Sequence, residues 1–306
     1  MPFYAVGHKT PDTDSIVSAI ALAELKKQLG EDVVPVRQGE ITPETQFVLD
    51  RFNMPTPELK TSVAGESVYI VDYSDRAQAP DDLAEATVLG IVDHHKLGDI
   101  TTSAPLECWI RPVGCSNTII KEMYDYHGVS IAKDVAGIML CAILSDTVIF
   151  KSPTCTDIDK KVVEELAQIA GVDDYKALAI EMFKVKSAVE GTPARDLVLR
   201  DFKDFSMAGN KVGVGQLEAI DNSVFEAIKA ELEAELVTLK AEGERHTIML
   251  VLTDIMKEGS EVIVVSDDDT LAKRAFGADF NDGKAWLDGV LSRKKQIIPP
   301  LEKAFS

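Results

Sequence analysis

Through the first 150 residues, apolar runs of strand length alternate with amphipathic stretches of helix length. These apolar runs predict strands at 2–6 (PFYAV), 32–36 (DVVPV), 67–72 (SVYIVD) and 87–93 (TVLGIVD). The helical periodicity predicts helices at 14–29, 43–52, 116–127 and 131–146. Strand followed by helix, repeated, has one economical solution: a parallel sheet with helices on both faces. The carboxyl ends of such strands then form one edge, where α/β sheets bind their ligands.

At 306 residues the chain is long enough for two domains. Helical patterns at 156–170 and 173–185 close the first half, and the polar stretch KSAVEGTPARD at 186–196 interrupts the periodicity. The expected division is an amino-terminal domain over 1–187, a linker over 188–195 and a smaller carboxyl-terminal α/β domain over 196–306. In the latter, strands at 201–207, 211–217, 246–252 and 261–265 surround one helix at 222–242, which predicts a mixed sheet. There is no internal repeat or low-complexity segment.

The chemistry-bearing residues crowd at the predicted strand ends. FYAVG runs into His8, followed by Asp12 and Asp14; SVYIVD ends at Asp72; TVLGIVD ends at Asp93, followed by His94 and His95. Asp146 follows the apolar run VAGIMLCAIL, so burial is expected, and a buried carboxylate requires a compensating cation. Each residue alone has an ordinary explanation. Aspartates cap helices, which accounts for Asp12 or Asp14, and single histidines are commonly satisfied by backbone. The six together, His8, Asp12, Asp14, Asp72, His94 and Asp146, are better explained by a metal centre. Imidazole mixed with several carboxylates suits Mn²⁺, Co²⁺, Fe²⁺ or Zn²⁺ more than a Mg²⁺ cage, and six ligands suit two ions sharing a bridging carboxylate. Asp93 is expected to orient a ligating histidine, leaving His95 to meet substrate.

Composition narrows the function classes. A net charge of −19 argues against a surface that tracks nucleic acid. Four cysteines without CxxC spacing fit free thiols in a reducing compartment, and no apolar run is long enough to span a bilayer, so a cytoplasmic protein without membrane contact is expected. Against this acidic background SRKKQ at 292–296 is the densest basic cluster. A solvated face explains such a cluster, but a guanidinium fork beside lysine point charges also suits a phosphate group. Lys203 alternates with Phe202 and is placed on one face of its strand. Metals on one domain and cations on the other imply a cleft that closes on a compact anion.

GHKTPDTDS at 7–15, VDYSD around Asp72, DHH at 93–95, LSDT around Asp146 and SRKKQ together resemble the family II inorganic pyrophosphatases, manganese- or cobalt-dependent members of the DHH phosphoesterase superfamily. The resemblance spans nearly the whole chain. It implies that His8 and Asp12 bind one metal, that Asp14, His94 and Asp146 bind the other, and that Asp72 bridges both. It implies further that His95, Lys203, Arg293 and Lys294 contact the substrate phosphates, with Mn²⁺ or Co²⁺ resident and additional Mg²⁺ arriving with substrate. Homodimers built through the amino-terminal domain are implied too, without a nucleotide-binding insert, because Asp72 and Asp93 stand 21 residues apart.

The reaction so implied is hydrolysis of pyrophosphate to two phosphates by a water activated between two metals, with Asp72, His95, Lys203, Arg293 and Lys294 taking part. Two other readings remain at this point. A DHH phosphoesterase acting on oligonucleotides, cyclic dinucleotides or polyphosphate shares the aspartates, and a non-catalytic metal or phosphate binder shares the fold.

Overall fold

The computed structural model describes residues 2–189 and 191–306, and the chain divides into two compact units, Met1–Met182 and Phe183–Ser306. In the first unit the strands are β1 (Phe3–Val6), β2 (Val33–Arg37), β3 (Glu58–Leu59), β4 (Ser67–Val71), β5 (Thr87–Asp93) and β6 (Glu107–Ile110). The helices are α1 (Thr13–Gln28), α2 (Pro43–Arg51), α3 (Ser116–His127), α4 (Lys133–Asp146), α5 (Asp157–Ala170) and α6 (Tyr175–Lys186), the last continuing past the division.

The sheet order is β3-β2-β1-β4-β5-β6, with every pair parallel. The chain first builds outward from β1 to β3, then returns to place β4 on the other side of β1. The carboxyl ends of β1 and β4 therefore flank the point where strand order reverses, where loops part and leave a crevice. Tyr4, Val6, Val34, Val36, Val68, Ile70, Val88 and Ile91 share one face, packed with Val63, Tyr73, Ala79 and Leu83 of the intervening loops and a short 3₁₀ turn. The opposite side carries α1, which contacts α2, α3 and α4 as well as β1, β2 and β4. That surround explains why α1 is buried through Thr13–Ala23 and is not amphipathic in the ordinary way.

The second unit contains α7 (Ala194–Leu199), β7 (Phe202–Met207), β8 (Asn210–Ala219), α8 (Ser223–Glu226), α9 (Lys229–Glu242), β9 (Thr247–Asp254), β10 (Gly259–Ser266), α10 (Leu271–Phe276), β11 (Lys284–Asp288) and α11 (Ile298–Phe305). Its sheet, ordered β11-β10-β9-β8-β7, is mixed: β8 and β9 are parallel and the other pairs antiparallel. Strand alternation splits the core in two. Ile248, Leu250 and Leu252 pack with Leu197, Leu232, Leu236 and Leu239 from α7 and α9. Met249 and Val251 pack with Leu271, Ile297, Ile298 and Leu301 on the other face.

Several local expectations change. The single helix expected at 222–242 is two, because Ile228 leaves helical backbone (φ −115°, ψ 3°) and packs against the α7/α9 core. Strands β6 and β11 are short edge strands, and β3 has only two residues, too few for a period to register. Helix α11 begins through Pro299 and Pro300, which read as breakers in sequence yet are tolerated in a first turn, where N–H groups have no partner to lose. SRKKQ is not a loose surface run: Arg293–Ile297 form one π-helical turn leading into α11.

Candidate metal centre

The first side chain of the site comes from β1. Gly7 brings the strand end hard against the start of α1: a Cβ there would lie 2.0 Å from Ser15 Oγ. That hydroxyl accepts the His8 backbone N–H at 3.0 Å, which fixes His8 at the strand terminus. Asp12 performs two tasks at once. Its Oδ1 caps α1 by accepting from Ser15 N at 2.9 Å, while Oδ2 stands 3.5 Å from His8 Nε2.

Asp14, in the first turn of α1, is buried among donors. Its Oδ1 accepts from Ser18 Oγ (3.0 Å), Asn117 Nδ2 (2.7 Å) and Asn117 N (3.3 Å), and its Oδ2 from Ser116 N (2.8 Å). Burial, and then the neighbouring Asp72 carboxylate, push Asp14 up to about 7.

Asp72 ends β4 in the left-handed region (φ 66°), a conformation that costs a non-glycine residue about 1–2 kcal/mol. The turn directs its two oxygens to different histidines. Oδ2 is 3.4 Å from His8 Nε2, and Oδ1 is 3.4 Å from His94 Nε2. Ser116 Oγ donates to Oδ1 at 3.0 Å. Burial acts to raise Asp72, but His8, His94 and His95 outweigh it and hold the carboxyl well below its ordinary value.

His94 follows β5. Its Nδ1 meets the Val113 carbonyl at 3.1 Å, which assigns the ring proton to Nδ1 and leaves Nε2 as the ligating nitrogen. Nε2 faces Asp72, Asp146 Oδ2 at 3.5 Å and Asp14 Oδ2 at 3.8 Å. Asp146 sits at the carboxyl end of α4, where its side chain is 23% exposed. The expected burial is therefore only partial: the helix ends there, and three consecutive residues, Val148, Ile149 and Phe150, turn left-handed.

Asp93 does not orient His94. Its Oδ1 accepts from the backbone N (3.0 Å) and Nδ1 (2.8 Å) of His95, so the buried carboxylate fixes the other histidine. Asp93 is fully buried, which raises its carboxyl, and the His95 contacts overcome that and lower it.

Sequence reading missed the segment Val113–Asn117, which supplies a carbonyl, a hydroxyl and three N–H groups to His94, Asp72 and Asp14. It carries no charge and no metal-ligand pattern, so only folding reveals it. Cys115 lies beside Asp14 and Asp146. Burial and those two carboxylates drive its thiol far above the ordinary range, so it stands there as a thiol rather than a thiolate.

The donor set fits divalent ions. Asp14 and Asp72 are buried with no lysine or arginine partner among the described residues, a placement that costs several kcal/mol per ion unless a cation compensates. The spacing fits as well: ligands about 2.1 Å from one ion stand about 3 to 3.5 Å apart. His8, Asp12 and Asp72 come together on one side of Asp72; on the other, His94 Nε2 stands 3.4 Å from Asp72 and 3.5 Å from Asp146, and the mutually close groups are Asp72 with His94 and His95, and Asp14 with Cys115 and Asp146.

In the second unit, residues 79 and 92 positions apart converge. Arg293 Nη1 donates to Asp201 O (2.7 Å) and Val214 O (3.2 Å), and Nη2 to Asp201 Oδ1 (2.6 Å). Val214 is the β8 partner of Lys203, so Lys203 and the turn bearing Arg293 and Lys294 share one border of that sheet.

Two family models match the chain: "DHH family, N-terminal domain" over residues 2–143 and "DHHA2 domain" over 180–304. A protein of Archaeoglobus fulgidus assigned as a manganese-dependent inorganic pyrophosphatase is 49% identical, covering 99% of this chain and 98% of its own length. The manganese-dependent inorganic pyrophosphatase of Methanothrix thermoacetophila is 45% identical over 99% of this chain and 98% of its own. A crystal structure from Methanococcus jannaschii, assigned to the family II inorganic pyrophosphatases, superposes with a TM-score of 0.90 at 42% identity, covering 100% of this chain and 99% of that one. An exopolyphosphatase-related protein of Bacteroides fragilis shares the fold, with a TM-score of 0.53 at 13% identity over 99% of this chain and 91% of that one. The fold and donor set thus define a DHH-family protein with a DHHA2 domain. More narrowly, the chain belongs to the manganese-dependent, or family II, inorganic pyrophosphatases.

Proposed function

We propose that the chain hydrolyses inorganic pyrophosphate to two phosphates, using two Mn²⁺ per subunit, in a cleft between its two units. The observation that carries this reading is the division of Asp72: one oxygen faces His8 and the other His94. His8 and Asp12 would hold one ion, Asp14, His94 and Asp146 would hold the other, and Asp72 would serve both. Co²⁺ satisfies the same donors, and Mg²⁺ enters with the substrate. When bound, the ions supply an acidified water as nucleophile and positive charge against the phosphoryl oxygens.

The chain's own residues do the rest. Asp72 and His94 are held in their ligating orientations by Ser116 and Val113. His95, its Nδ1 committed to Asp93, meets a phosphate through Nε2. Lys203, Arg293 and Lys294 offset charge on the phosphoryl oxygens and orient the leaving phosphate in line with the entering water oxygen. One water oxygen bonds to phosphorus, the bridging oxygen departs with the second phosphate, and no covalent enzyme intermediate forms.

The family relationship supports a cytoplasmic homodimer assembled through the amino-terminal unit, with pyrophosphate rather than nucleic acid as partner. No helix of the described residues is long and apolar enough to cross a membrane. The deciding experiment gives chelated and Mn²⁺-restored protein pyrophosphate, polyphosphate and dinucleotides side by side. Rapid phosphate release from pyrophosphate alone, abolished by chelator and recovered with Mn²⁺, is expected. A preference for the longer substrates, or activity that survives chelation, refutes the reading. Asp72→Asn should lose both ions together, and sedimentation of the intact protein checks the dimer.

A further inference from the structure

Three of the candidate ligands take their positions from one short segment, Val113–Thr118. Val113 O faces His94 Nδ1 at 3.1 Å, Ser116 Oγ donates to Asp72 at 3.0 Å, and Ser116 N and Asn117 Nδ2 donate to Asp14 at 2.8 and 2.7 Å. A segment that sets three side chains must itself be held. We propose that Asp159, on α5, is a positioning residue that clamps this segment and so holds the ion site of Asp14, His94 and Asp146. The proposal rests on the reading that these side chains bind manganese.

Asp159 is fully buried, and its two oxygens take four donors. Two belong to a helix cap: Thr156 N and Thr156 Oγ1 reach Oδ2 at 2.7 Å each, completing a capping box for α5. A capping box needs no more than that. The other two come from across the unit. Gly114 N donates to Oδ2 at 2.9 Å and Thr118 Oγ1 to Oδ1 at 2.6 Å. These two donors bracket Cys115, Ser116 and Asn117, so the carboxylate grips both ends of the stretch that contacts Asp14 and Asp72.

The packing leaves the segment little room to move. A Cβ on Gly114 would lie 2.9 Å from Asp159 Oδ2 and 2.6 Å from Thr147 Cγ2. Released from Asp159, the Gly114 N–H and the Thr118 hydroxyl would be buried without their partner, and the segment would shift to find new ones. Such a shift reaches His94, Asp14 and the Oδ1 side of Asp72. His8 and Asp12 are set from a different element, by Ser15 of α1, which accepts the His8 N–H and donates its own N–H to Asp12. Groups that orient metal ligands typically contribute tenfold to a hundredfold in metal affinity.

The test counts and titrates Mn²⁺ on the intact protein for wild type, Asp159→Ala, Thr118→Val and Thr156→Ala, with a thermal melt of each. Asp159→Ala is expected to weaken one of the two Mn²⁺ ions about tenfold to a hundredfold and leave the other near wild type. Thr118→Val keeps the capping box and the side-chain shape, so it folds, and should weaken the same ion about fivefold. Thr156→Ala breaks the cap from the other side and should lower the melting temperature with Mn²⁺ affinity retained. The proposal is overturned if Thr118→Val and Asp159→Ala bind both ions as wild type does, if both ions weaken equally, or if Thr156→Ala weakens Mn²⁺ as much as they do. Wild-type protein that binds two Mn²⁺ yet leaves pyrophosphate intact would remove the proposed activity and leave the clamp standing.

Discussion

Asp93 holds His95 through a single oxygen, accepting both its backbone N–H at 3.0 Å and its ring Nδ1 at 2.8 Å. A carboxylate in that position fixes the tautomer and stabilises the imidazolium when the ring carries a proton. This leaves Nε2 as the ring atom for the phosphate contact proposed for His95. Asp93→Asn retains the shape and removes the charge. The expected result is a fall in kcat of about tenfold to a hundredfold with Mn²⁺ affinity within about twofold of wild type. Steady-state kinetics beside a Mn²⁺ titration measure both, and a large loss of metal would place Asp93 behind His94 instead.

Metal uptake should depend on pH through Asp14. Burial and Asp72 raise its carboxyl to about 7, and a ligand must be deprotonated to bind an ion. Below that value a proton has to leave before Mn²⁺ enters. Affinity for the ion assigned to Asp14, His94 and Asp146 should therefore rise with pH, by up to about tenfold per unit below 7, and level off above it, with Asp14 releasing close to one proton per subunit as that ion binds at acidic pH. Calorimetric titrations at pH 6, 7 and 8 in buffers of different ionisation enthalpy count that proton. Affinity independent of pH from 6 to 8 contradicts the raised value.

Arg293 and Lys294 are two of the three basic residues of the carboxyl-terminal turn, and each has its own expected effect. The Arg293 guanidinium is tied to Asp201 and Val214 by three hydrogen bonds, so Arg293→Ala should raise KM for pyrophosphate and also lower the stability of the second unit by about 1–2 kcal/mol, discounted because the Asp201 side chain is 49% exposed. Lys294→Ala should raise KM by about tenfold. Both variants should bind Mn²⁺ normally. Thermal melts with kinetics at saturating metal separate the effects.

The parts of this molecule that were legible in its sequence are those with a period or a charge. The runs ending at Val6, Val71 and Asp93 mark their strands because parallel strands buried on both faces are continuously apolar. The aspartates and histidines stand out because ionisable groups at strand ends need an explanation. The uncharged parts stayed hidden. Ser116, Asn117 and the Val113 carbonyl act through geometry that exists only after α3 packs beside α1, about 100 residues away in sequence. Asp159 has an ordinary local place as the third residue of a capping box begun by Thr156, and nothing local shows its second set of donors. Edge elements such as β6 and β11 are too short for alternation to register, and α11 was masked by the prolines of its own first turn.

The closeness of Gly7 to Ser15 couples the fold to the site, and Gly7→Ala should expose that coupling. The added Cβ would lie 2.0 Å from Ser15 Oγ and 3.0 Å from the Ser15 carbonyl, and neither is the far end of a flexible chain. Ser15 also accepts the His8 N–H and donates its own N–H to Asp12, so moving it displaces two ligands of the same ion. Overpacking of this kind costs about 1–3 kcal/mol. The expected outcome is a lower melting temperature together with loss of the Mn²⁺ ion served by His8 and Asp12, while the ion served by His94 and Asp146 is retained more tightly. This is the reverse of the Asp159→Ala pattern. Metal counting on the two variants checks the contrast directly, and loss of the same ion in both would show that the two sides of Asp72 are not separate sites.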